Sequence, residues 1–187
     1  MQESSAQRGH WNSKPWRLAA WSAAAGIMLL PIAVHLTDGP FGWSFGDFVG
    51  IGLTLLSGAA IFDLAARRSP NFAYLAGAGA ALAAGFGLVV VNGAVGLVGS
   101  EDEIHNAYFF AVPAAALLGS LMAAGRPMPM ALAMLAAAVT HIAVSTTLLI
   151  DANGVSDGNP QMEVIGLSIF AMLWLASAWL FRIASKQ

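Results

Sequence analysis

Apolar stretches of about twenty residues, the length needed to cross a bilayer core, recur along the chain with short polar breaks between them. They cover 18–37, 47–66, 72–95, 105–123, 130–150 and 164–181. Turn-forming residues punctuate the breaks: Asp38-Gly39-Pro40, Arg67-Arg68-Ser69-Pro70-Asn71, Gly125-Arg126-Pro127, and the longer cluster from Asp151 to Pro160. None of these connections has room for a soluble domain. The pattern predicts an all-α integral membrane protein, a six-transmembrane-helix bundle over 18–182. A polar segment, 1–17, precedes it and a short tail, 183–187, follows. The first apolar stretch has full span length and lacks a small-residue cleavage pattern, so it reads as a retained helix.

Composition agrees with that picture. Charged residues make up 10% of the 187 and hydrophobic ones 58%, with a mean hydropathy of +0.70. A soluble domain carries roughly 25% charged residues, so this chain could not clothe a water-facing surface. A soluble enzyme, a basic nucleic-acid binder and a disordered regulator are excluded. Cysteine is missing from the sequence, which removes disulfides, thiolate metal sites and cysteine nucleophiles.

Charge sign adds an orientation. With six alternating spans, all eight basic residues (Arg8, Lys14, Arg17, Arg67, Arg68, Arg126, Arg182 and Lys186) fall on one side. Asp38, Asp47, Glu101, Asp102, Glu103, Asp151, Asp157 and Glu163 fall on the other, leaving Glu3 and Asp63 with the basic group. The positive-inside rule makes the basic side cytoplasmic, with both termini inside a bacterial inner membrane. Trp11, Trp16, Trp21 and Trp179 near that boundary, and Trp43 near the opposite one, suit an aromatic belt.

Small residues predict how the helices pack. In the third span Gly77, Ala81 and Gly85 form one row and Gly79, Ala83 and Gly87 another, which points to a central helix. Gly50, Thr54 and Gly58 offer a seam on the second span. Such seams fit packing within the chain, self-association into a homo-oligomer, or assembly into a larger membrane complex. The third apolar run continues to Val98 and would be about 40 Å long as one helix. It either tilts or ends near Asn92, with Gly93, Gly96 and Gly99 shaping a segment that folds back.

The run from Val91 to Tyr108, with its Asn92-x-Ala94-Val95-Gly96-Leu97-Val98-Gly99-x-Glu101 core, resembles an uncharacterised family of small multi-pass bacterial inner-membrane proteins. Trp43, Asp47 and Phe48, and the closing stretch from Leu173 to Arg182, resemble it too. Asp102-Glu103-Ile104-His105 departs from the more neutral stretch expected there. The resemblance implies a membrane protein and brings no activity with it.

Several residues could carry chemistry. His141 lies about 16 Å along the fifth span, near the bilayer midplane, where an ionisable group faces protein or a cavity. Ser145 lies one turn further on the same face. A neutral imidazole bonded between helices and a residue handling a ligand or proton are both open readings. His35 follows Pro31, whose missing N–H frees a carbonyl one turn earlier. Asn92 and Asp47 complete a polar set expected in the outer half. Glu101, Glu103 and His105 are candidate ligands for a divalent cation, although their spacing matches neither HExxH nor a calcium loop, and the acids could simply favour a helix start. Asp63 and Arg67 have the i, i+4 order of a helical ion pair.

No nucleophilic triad, phosphate-binding glycine loop or haem attachment pattern is present. His35 and His141 differ in depth by roughly 15 Å, too far for shared axial ligation. The expectation is therefore a non-enzymatic protein that binds or transports a small solute or cation through a polar site. The alternative is a structural or accessory subunit of a larger membrane complex. An enzyme using an outer-face metal ranks behind both. The expected partners are the lipid bilayer and no nucleic acid.

Overall fold

A computed structural model describes residues 14–37, 44–99, 103–152 and 160–187, and their regular structure is entirely helical. The helices are α1 (Lys14–Leu36), α2 (Phe45–Arg68), α3 (Phe72–Val95), α4 (Ala111–Ala123), α5 (Pro127–Ala152) and α6 (Pro160–Ala184). A 3-10 segment, Ile104–Phe110, runs directly into α4. Counting that segment with α4, all six are long and apolar enough to cross a membrane. This is a multi-pass membrane protein. Many large aliphatic side chains, Leu30, Leu53, Leu118 and Met172 among them, are exposed. Water would penalise that surface, whereas lipid tails solvate it.

Local chemistry sets the helix ends. Ser44 and Asp47 form a capping box at the start of α2: the Asp47 N–H donates to Ser44 Oγ, and the Ser44 N–H donates to Asp47 Oδ2 at 2.7 Å. Asn71 Oδ1 accepts from the Tyr74 N–H and starts α3. Pro127 opens α5 at the position where a missing N–H costs nothing. Pro113 explains the 3-10 segment. It has no N–H to give to the carbonyl of Phe109, so α-type bonding cannot run through it and the tighter turn precedes it. The fourth span predicted over 105–123 is thus 3-10 first and α second.

The chain forms two compact units, Met1–Pro70 and Asn71–Gln187. In the first, α1 and α2 make an antiparallel hairpin: Arg17 at the start of α1 meets Asp63 near the end of α2. At the other end His35 meets the ring of Phe48 edge-on at 5.3 Å. Gly52 approaches Met28 there, while Gly50, placed on a seam by its spacing, meets nothing within 4 Å.

In the second unit α6 lies between α3 and α5, and α5 between α6 and α4. Within this unit α3 therefore has one extensive neighbour and is not the central helix that its small-residue rows predict. The glycines of α3 serve the aromatic side chains of α6. A Cβ at Gly77 would come within 3.2 Å of the Phe181 ring, and one at Gly87 within 3.2 Å of Phe170. Gly85 faces Trp174. Ser177 Oγ donates to the carbonyl of Gly77 at 2.7 Å and ties the two backbones together. α4 and α5 also approach closely, and a Cβ at Gly119 would lie 2.7 Å from that of Ala133.

The third apolar run ends as a helix at Val95 and turns at Gly96, whose φ of 72° and ψ of 157° suit glycine almost alone. Leu97 and Val98 then fold into the core beside Leu88, Phe109, Leu148 and Leu167. Of the two readings open in the sequence, the structure has the non-helical segment, beginning after Val95 and leaving Gly93 inside the helix.

Candidate functional site

Buried non-helical backbone must have its polar groups satisfied, and Asn106 does this for the Gly96 turn, after which Leu97 and Val98 are buried. Its Oδ1 accepts from the N–H groups of Leu97 and Val98, at 3.3 and 3.1 Å. Its Nδ2 donates to the carbonyl of Val98 at 3.0 Å. Asn92 Nδ2 donates in turn to the Asn106 carbonyl at 3.1 Å. Glu163, in the first turn of α6, accepts from the Gly99 N–H at 3.0 Å. Asn92, expected among the ligand-handling residues, thus has its amide nitrogen engaged in holding a turn. Asn106 stands in the same sequence cluster as the acidic candidates, and its bonding to a glycine-rich turn went unread.

His141 lies deep between α5 and α6 and is fully buried. Its ring is flanked by Phe109 and Phe170, with centroids 5.8 and 6.3 Å away. His141 Nε2 is 2.9 Å from the carbonyl oxygen of Leu167. A carbonyl only accepts, so Nε2 carries the proton, and in the neutral ring Nδ1 is left as an acceptor. Among the described residues that Nδ1 has no partner, nor does the buried hydroxyl of Ser145 one turn on. Asn92 Oδ1 and Trp174 Nε1 complete the unpartnered buried side-chain atoms among the described residues.

His141 and Ser145 line a groove of about 150 Å³ between α5 and α6. Thr146 and Ser168 add hydroxyl-bearing, exposed side chains to its rim. Ser168 Oγ is bonded back to the carbonyl of Val164 at 2.7 Å. Ile142, Leu149 and Val164 supply apolar wall, and none of the described residues lining the groove is a carboxylate. A site of this kind can hold a small molecule by a donor to His141 and a bond to Ser145, with apolar surface around it.

None of the other candidate residues is among the described residues that line this groove. His35 is exposed on α1. Asp47 is committed to its capping box, where both Ser44 N–H and Ser44 Oγ reach its Oδ2. The pattern Ser44-x-x-Asp47 ahead of an apolar run carries that signal in the sequence. Glu103 Oε2 and His105 Nδ1 lie 3.4 Å apart on exposed side chains. Glu101, with Asp102, lies outside the described residues. Among the described residues no three His, Cys, Asp or Glu side chains converge as a metal site. Asp63 pairs with Arg67 as its spacing predicts, at 2.8 Å, and also with Arg17. That second arginine is 46 positions away, so no local pattern could signal it.

Compared with protein-family models, curated proteins and solved structures, the chain matches none.

Proposed function

We propose that this is a multi-pass protein of a bacterial inner membrane, with both termini cytoplasmic, that binds or passes a small uncharged polar solute at the α5–α6 groove. The observation that carries the reading is the pair His141 and Ser145, two buried polar side chains on one groove wall, each keeping a hydrogen-bonding atom without a partner among the described residues. Burying such atoms costs free energy unless something completes them. A purely structural histidine accounts for the bond to Leu167 but not for the unpartnered hydroxyl beside it.

An uncharged solute fits better than a divalent cation, because the groove offers imidazole and hydroxyl groups with no carboxylate among its described lining residues. The orientation rests on the segregation of basic from acidic residues. The run from Asn92 to Glu101 supports grouping the chain with the small inner-membrane family that it resembles.

The test is native mass spectrometry of small molecules that co-purify with the full chain in mild detergent, compared with its Ser145→Ala and His141→Ala variants. A solute carried by the parent protein and lost from Ser145→Ala is the expected result. The same small-molecule content in all three would leave the accessory-subunit reading, in which the groove is packing and nothing more.

A further inference from the structure

Within the first unit, the α1–α2 hairpin gathers charge at one end. Asp63 accepts from Arg17 Nε on one carboxylate oxygen and from Arg67 Nε, at 2.8 Å, on the other. One carboxylate thus holds two guanidinium groups, and the trio keeps a net positive charge. Each guanidinium is a planar fork of five N–H donors, of which only Nε is engaged in either arginine among the described residues. Among those residues the terminal nitrogens of both have no partner. The arginine side chains are 30% and 57% exposed while that of Asp63 is 13% exposed: the anchor is inside and the forks reach outward.

The position suits a headgroup. The trio lies where α1 begins and α2 ends, and Trp16 and Trp21 are exposed on the adjoining turns of α1. Indole side chains favour the headgroup level of a bilayer. One arginine is enough to neutralise Asp63, and a pair as exposed as Arg67 with Asp63 adds little to stability. The second arginine adds charge and a donor fork, which is what recognition of phosphate oxygens requires.

We propose that Arg17 and Arg67, oriented by Asp63, form a binding site for a phosphate group, carried by an anionic lipid headgroup. Asp63 is the positioning residue. The full chain is reconstituted in nanodiscs containing phosphatidylcholine and phosphatidylglycerol, and the lipid that it retains after extraction is counted by native mass spectrometry. Arg67→Gln, at an exposed position that tolerates the change, lowers phosphatidylglycerol retention roughly fivefold, the worth of one basic residue at an anionic surface. Asp63→Asn separates a built site from general attraction. It raises the net positive charge, so diffuse attraction predicts more retention, whereas loss of the anchor predicts less. Unchanged retention in Arg67→Gln, or increased retention in Asp63→Asn, overturns the proposal. A parallel set in the same mixed nanodiscs, titrated with inorganic phosphate, identifies the source. Displacement of retained phosphatidylglycerol by millimolar phosphate would assign the site to the free anion and overturn the lipid assignment.

Discussion

Ser145 and His141 share a wall of the groove but hold the fold to different degrees. His141 fills space between Phe109 and Phe170 and bonds to Leu167, so His141→Ala removes packing and a bond and should cost about 2–4 kcal/mol. Ser145 contributes a buried hydroxyl that bonds to nothing among the described residues. Ser145→Ala should leave stability unchanged or raise it by up to about 1 kcal/mol, because it deletes a desolvated group without deleting a bond. Thermal unfolding in detergent reads the difference. A large loss in Ser145→Ala would mean that the hydroxyl is structural after all. The histidine was legible in the sequence because a lone ionisable residue in a twenty-residue apolar run needs an explanation. Its bond to Leu167 was not, since it joins residues 26 positions apart through a backbone carbonyl that any residue could supply.

Among the elements, the turn after α3 depends most on one side chain. Asn106→Ala would strip acceptors from two buried N–H groups, those of Leu97 and Val98. At about 1–3 kcal/mol for each buried group left unsatisfied, the unfolding midpoint should fall clearly, and amide exchange at Leu97 and Val98 should accelerate. An unchanged midpoint and unchanged protection would show that the turn is held by other means. Helix positions were readable because apolar length and turn residues are local signals. Ends were readable where turn residues interrupt the apolar run and missed where Pro113 converts a predicted α-helical turn into 3-10. The packing of α3 was harder. Its glycine rows do mark close approach, but the partners are Phe170, Trp174 and Phe181 on α6, roughly a hundred residues later. Spacing within α3 says that a neighbour comes close, without saying which helix it is or how many there are.

At the scale of the whole molecule, exposed aliphatic side chains and long apolar helices require lipid around the protein. Against that background a groove lined by imidazole and hydroxyl groups is an exception, and the proposed function needs a polar solute to reach it. The sequence contains no cysteine, so a single introduced thiol reports on its own surroundings. The decisive measurement is the reactivity of Ser145→Cys in reconstituted protein towards a small, membrane-impermeant thiol reagent, beside Ala138→Cys, whose position is fully buried on the same helix. A thiol must ionise in water to react. The account predicts that Ser145→Cys is labelled while Ala138→Cys is not. Equal inertness at both positions would contradict it, because a groove that water does not reach cannot receive a solute dissolved in it.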